Sequence, residues 1–145
     1  MKKILVINGP NLNLLGKREP HIYGTTTIED VNQQMEELAG EKDLKLTFFQ
    51  SNHEGKIIDQ IHEARERFDG IIINPGAFTH YSYAIADAVS AVSIPTIEVH
   101  ISNIYKREAF RQHSVIAGVA VGQISGLGIF GYLAAVSYFA DYFAS

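Results

Sequence analysis

The run Ile4-Leu5-Val6-Ile7, stopped at once by Asn8-Gly9-Pro10, decides how the rest of this sequence is read. Four apolar residues ended by turn formers are too short for a buried helix and read as a strand. The run is continuous, not alternating, so both faces of that strand are covered. Four more segments repeat the pattern: Lys45–Phe49, Gly70–Ile73, Thr96–Val99 and Ala117–Val121. β-Branched residues dominate four of the five, as pleated, packed strands favour.

Helix signals lie between these runs. Thr26 stands three residues before Glu29, and Thr27 three before Asp30, so either pair can open a helix through a capping box. Val31, Met35 and Leu38 then share one face of it. Asn52 can cap a second helix that carries Ile57, Ile58, Ile61, His62 and Arg65. A third, rich in alanine, runs from about Tyr81 to Val92, and a last one from about Gly128 to Ala144. Strands alternating with helices at this rhythm predict a parallel sheet with helices on both faces. Five strands in 145 residues match a flavodoxin-like, doubly wound α/β fold in a single domain, residues 1–145.

Composition narrows the function. Lys plus Arg is 12 and Asp plus Glu is 16, a formal net charge of −4 without the concentrated basic face that nucleic acid requires. Hydrophobic residues make up 46% and charged ones 19%, which excludes a disordered chain. No cysteine is present, so disulfides, thiolate metal sites and a cysteine nucleophile are excluded. The first apolar run is too short for a secretory signal, and Ile129–Ala144 is shorter than the ~20 residues that cross a bilayer. A cytoplasmic protein with no membrane or nucleic-acid partner is expected.

In sheets of this kind the site lies outside the carboxyl ends of the strands. The residues that follow the strands are the polar ones: Asn8 to Gly24 after the first, Gln50 to Gly55 after the second, Asn74 to His80 after the third and Glu98 to Asn103 at the fourth. Structural loops need turn formers; they do not need histidine and arginine at each corner. Glu98 and His100, two apart on a strand, face the same side. The carboxylate can orient the imidazole and favour its charged form, giving a proton donor near neutral pH. A plain structural pair at a strand end is the competing reading. A serine relay through Ser82, Ser102 or Ser114 is a further alternative, although no Gly-x-Ser-x-Gly elbow exists.

Arg18 and Tyr23 fall in a long Gly- and Pro-containing loop, and residues of about 16–25 are expected to form a mobile lid. Bringing a tyrosine from its reference pKa of ~10 to near 7 needs ~4 kcal/mol of differential stabilisation, which a guanidinium in a water-excluding site can help supply. The alternative is an aromatic that anchors the loop. Asn74 and His80 flank Pro75-Gly76, where backbone can approach a ligand. Arg111 can bind hydroxyl or carboxylate groups or pair with Glu108. Ile101 and Ser102 offer consecutive backbone N–H groups for an anion. Asp87 lies on the alanine-rich helix, either exposed or paired at a subunit interface.

No metal or cofactor is expected. The six histidines show no ligand spacing, and Gly126-Leu127-Gly128-Ile129-Phe130-Gly131 comes too late for a dinucleotide unit, so it reads as a tight turn into the last helix. None of the seven lysines lies inside an apolar strand, which argues against a desolvated Schiff-base lysine. The aromatic residues of the last helix, among them Tyr132, Tyr138, Phe139, Tyr142 and Phe143, cover the sheet or a partner.

Taken together, Asn8–Gly24, Gln50–Gly55, Asn74–His80, Glu98–Asn103, Arg107–Arg111 and Gly122–Tyr132 resemble the type II dehydroquinases, and the likeness covers essentially the whole chain. The resemblance implies a lyase that removes water anti from 3-dehydroquinate to give 3-dehydroshikimate, through an enolate, with no metal and no Schiff base. It implies Tyr23 as the base, Arg18 as the holder of its phenolate, Asn11 near a water at the enolate oxygen, and His100, backed by Glu98, as the acid. It assigns Asn74, His80, Asp87, Ile101, Ser102 and Arg111 to substrate binding, with backbone N–H groups at 101 and 102 on the carboxylate. It also implies a homo-oligomer, a dodecamer built of trimers, in which Asp87 reaches a neighbour's site. Ala84, Ala86, Ala88 and Ala91 are small enough to permit close packing there. A non-enzymatic flavodoxin-like binding module and a Ser-His-Glu hydrolase stand as the rival readings.

Overall fold

The computed structural model describes residues 1–17, 21 and 24–144. Five strands, β1 (Lys2–Asn8), β2 (Leu44–Gln50), β3 (Gly70–Asn74), β4 (Thr96–His100) and β5 (Gly122–Ser125), form one sheet in the order β2-β1-β3-β4-β5. Every pairing is parallel. Four helices connect or follow them: α1 (Ile28–Glu41), α2 (Glu54–Ala64), α3 (Tyr83–Val92) and α4 (Phe130–Ala144). This is the doubly wound, flavodoxin-like order, and its topological switch point lies between β1 and β3.

Side-chain alternation divides the core. Ile4, Val6, Ile72, Ile97 and Val99 pack with α1 and α4 on one side of the sheet. Leu5, Ile7, Ile71 and Ile73 pack with α2 and α3 on the other. Each of these strand residues is almost fully buried, which is why the sequence runs are unbroken and not alternating. Burying one such side chain contributes ~1.5–3 kcal/mol, so the two layers fix the sheet firmly enough to hold polar groups at its end.

Local signals explain most helix starts. The Thr27 hydroxyl accepts from Asp30 N–H, and the Asp30 carboxylate accepts from Thr27 N–H. This box opens α1; the Thr26–Glu29 alternative is not used. Ser82 caps α3 by accepting from Ile85 N–H, so that helix begins after the cap and not at Tyr81. Tyr81 instead closes a 3-10 turn over Gly76–His80.

Three expectations need correction. Asn52 does not cap α2: His53 holds the cap position, and the Asn52 carboxamide oxygen accepts from Asn11 N–H at 3.0 Å. Its oxygen is taken up by the loop after β1. The fifth strand is not Ala117–Val121; Ala117–Val119 is a 3-10 turn and the strand is Gly122–Ser125. Ser114 Oγ accepts from Ile116 and Ala117 N–H, winding that apolar segment into a turn before pairing with β4 begins. The last helix starts at Phe130, because Gly126 (φ 92°) and Gly128 (φ 61°) form the tight turn read from the glycine pattern. The expected lid falls partly on residues 18–20, 22 and 23, which lie outside the described residues.

Candidate active site

β1 and β3 end side by side, with Asn8 paired in register to Asn74. The loops beyond them touch. A Cβ on Gly9 would sit 2.5 Å from the Pro75 carbonyl oxygen, so only glycine allows this approach. Both asparagines face the α4 side, where the buried Tyr132 hydroxyl donates to Asn8 Oδ1 (2.6 Å) and accepts from Asn74 Nδ2 (2.9 Å). Asn74 Oδ1 in turn accepts from Gly76 N–H. Burial raises the Tyr132 phenol well above the ordinary tyrosine value, against the pull of the Asn74 hydrogen bond, so it acts as a neutral hydroxyl.

Alternation along β4 turns Glu98 and His100 to the opposite side from Val99. Glu98 is fully buried and His100 nearly so. The Glu98 Oε2 and His100 Nε2 atoms are 2.5 Å apart. Thr79 Oγ1 also donates to Oε2, and Ser114 Oγ donates at 2.9 Å to both carboxylate oxygens. Burial pushes the Glu98 carboxyl up, but the hydrogen bond and charge of His100, joined by the two hydroxyls, outweigh it and hold the group below the usual carboxylate range. Glu98 is therefore held as an anion, an acceptor that takes its bond from His100 Nε2–H and leaves Nδ1 as the other ring nitrogen.

His100 opens onto a cavity of about 230 Å³ at the carboxyl edge of the sheet. Asn11, Asn74, His80, Ile101, Ser102 and Arg111, all expected at the site, line it. Asn11 is held in a left-handed conformation (φ 70°, ψ −4°) by the Asn52 contact to its N–H. His80 Nδ1 donates to the His113 carbonyl at 2.9 Å, which leaves Nε2 as an acceptor. Burial lowers the His80 pKa, the His113 carbonyl opposes that, and the charges of His100 and Arg111 reinforce it. Arg111 pairs with Glu108 at 3.2 Å, as one of its two sequence readings expects, and also lines the cavity. The carbonyls of His100 and Ile101 accept from Gly126 and Gly128 N–H, tying the 101–102 corner to the turn before α4.

Asp87 is exposed on α3 and does not line this cavity. Arg18 and Tyr23 lie outside the described residues. Among the described residues, the hydroxyls of Ser82, Ser102 and Ser114 engage Glu54, Arg107 and Glu98, and none reaches His100. The structure thus offers no hydrogen bond on which a serine relay would rest. Sequence reasoning assigned no role at the site to Thr79, Tyr132 or Arg107, the last of which lines the cavity beside Ser102. Also among the described residues, no cluster of three His, Asp or Glu side chains could hold a metal ion, and no helix is long and apolar enough to cross a membrane.

Fold and site together define a doubly wound α/β protein with a buried carboxylate–imidazole pair at the open end of its sheet. The sequence profile of the family "Dehydroquinase class II" matches residues 2–140. The chain is 62% identical over 139 residues to a 3-dehydroquinate dehydratase of Bacillus licheniformis, covering 96% of each chain. It is 66% identical over 137 residues to one of Caldicellulosiruptor saccharolyticus, covering 94% of each. The crystal structure of type II dehydroquinase from Propionibacterium acnes superposes with a TM-score of 0.94 at 47% identity, over 97% of both chains. That from Butyrivibrio crossotus gives 0.93 at 54% identity, over 94% of this chain and 96% of the other. This chain belongs to the class II dehydroquinase family.

Proposed function

We propose that this protein is a 3-dehydroquinate dehydratase, removing water from 3-dehydroquinate by anti elimination through an enolate. The observation that carries the reading is the buried Glu98–His100 pair opening onto a polar cavity. Hydroxide is a poor leaving group, so the departing oxygen needs a proton, and an imidazolium steadied by a fixed carboxylate supplies one. The enolate needs donors and the substrate carboxylate needs an anion site. Asn11, Asn74 and His80 serve the first kind of contact, and Arg111 with the 101–102 backbone corner the second. Family membership and identities of 62% and 66% to proteins named for this activity support the assignment.

In this scheme Tyr23 is the base that takes the proton beside the ketone and Arg18 holds its phenolate; both enter through the family resemblance alone. All seven lysines are exposed, which favours a route without a Schiff base. Asp87, exposed and absent from its own chain's cavity, is assigned to a neighbouring copy's site in a dodecamer of trimers. The test is direct. Metal-stripped protein mixed with 3-dehydroquinate should develop the enone absorbance of 3-dehydroshikimate, and Tyr23→Phe should abolish most turnover with little change in binding. A folded protein that leaves the substrate unchanged refutes the assignment.

A further inference from the structure

We propose that Thr79 and Ser114 are positioning residues for the acid, their two hydroxyls fixing the Glu98 carboxylate and, through it, which nitrogen of His100 carries the permanent proton. The inference rests on the reading of His100 as the proton donor and deepens it.

Strand geometry alone brings Glu98 and His100 to one side, but it does not orient a glutamate, which has three side-chain torsions. A count of donors and acceptors does. A hydroxyl has one proton to give and two lone pairs to fill. Ser114 Oγ accepts from Ile116 N–H at 3.1 Å and from Ala117 N–H at 3.0 Å, so both lone pairs are occupied. The Thr79 and Ser114 oxygens are only 2.9 Å apart, yet Ser114 has no room to accept from Thr79. Thr79 therefore gives its proton to Glu98, and so does Ser114. The carboxylate receives two hydroxyl donors from one side and presents Oε2 to the imidazole on the other.

The two donors are held to each other as well as to Glu98. Thr79 sits in the turn after β3, and its carbonyl accepts from Val115 N–H at 2.8 Å, next to Ser114. The frame around the carboxylate thus comes from two separate segments locked by backbone. With Oε2 so fixed, His100 Nε2 stays the donor to Glu98, and only Nδ1 gains and loses a proton. Loss of either hydroxyl frees the carboxylate to turn and lets the other imidazole tautomer form.

The experiment uses the full-length protein labelled with 15N at histidine, without substrate. His100 resonances are assigned by their disappearance in His100→Gln. At high pH the wild type should show protonated Nε2 and bare Nδ1. Thr79→Val and Ser114→Ala should show a mixture of tautomers, and kcat should fall roughly tenfold, the size of one lost hydrogen bond to a charged group, with KM within about twofold. Thr79→Ser, which keeps the hydroxyl, should restore both readings. A single Nε2–H tautomer and unchanged kcat in folded Ser114→Ala and Thr79→Val would overturn the proposal; should Thr79→Val fail to fold, the half-buried Ser114→Ala decides alone. The spectrum needs no turnover. A wild type inactive on 3-dehydroquinate would remove the dehydratase reading, while the tautomer ratio would still decide the role of the two hydroxyls.

Discussion

Two buried polar networks stand at the carboxyl edge of the sheet, one on each side of it. On the α4 side, Tyr132 bridges Asn8 and Asn74 with neutral groups only. On the other side, Thr79 and Ser114 hold Glu98 against His100. Apart from the half-buried Ser114 their members are nearly closed to solvent, and both join residues far apart in sequence. The difference is charge. A neutral network can hold a binding group still, but it has no proton to exchange. The charged one sets a buried carboxylate against an imidazole, the kind of pair that general acid–base chemistry uses. In the proposed function, positioning and proton transfer thus divide between opposite faces of one sheet.

The largest expected effect breaks the charged side. Glu98→Gln keeps the shape and removes the charge, so kcat should fall by about 10²–10³-fold while circular dichroism stays unchanged. The same variant tests acid stability. The native Glu98 carboxyl lies below its unfolded value, so its contribution is full above ~4.3 and is lost as the pH falls toward the native value. Urea midpoints should therefore drop more steeply between pH 5 and pH 3 in wild type than in Glu98→Gln; parallel curves would contradict an ionised, hydrogen-bonded Glu98.

Gly9→Ala should disturb both sides at once. Its Cβ would collide with Pro75 backbone and part the β1 and β3 loops, at a cost of about 3 kcal/mol by chemical denaturation. Tyr132→Phe touches the neutral side alone. It strands two buried amide groups, so stability should fall by about 1–3 kcal/mol and KM should rise more than kcat falls. A kcat-only effect would erase the contrast between holding and proton transfer. The smallest effect is expected from Asn52→Ala, which removes the acceptor for Asn11 N–H at the exposed rim and should cost about 1 kcal/mol.

Much of this was legible in the sequence. β1 and β3 announced themselves as unbroken apolar runs, because strands buried on both faces have no polar side to show, and β2 and β4 followed from their β-branched and aromatic residues. β5 did not: it is a half-buried Gly122–Ser125, and a more apolar neighbour, Ala117–Val121, drew the reading away. The cavity lining was legible in part because His100 ends β4, and His80 and Arg111 are charged-type residues in the turns beyond β3 and β4. Thr79 was not, and Ser114 was read only as a relay candidate, since a hydroxyl in a turn has no periodicity and its partner lies on another segment. Asn52 misled because a cap and a cross-loop acceptor use the same oxygen. Tyr132 read as one more aromatic of the last helix; nothing local marks a partner 58 positions back at Asn74.

The Tyr132 hydroxyl also sets the order in which the protein can be finished. Asn8 is synthesised 124 residues before its buried partner. A growing chain can pair β1 with its neighbours, but Asn8 and Asn74 stay unanchored until α4 has been synthesised and has docked.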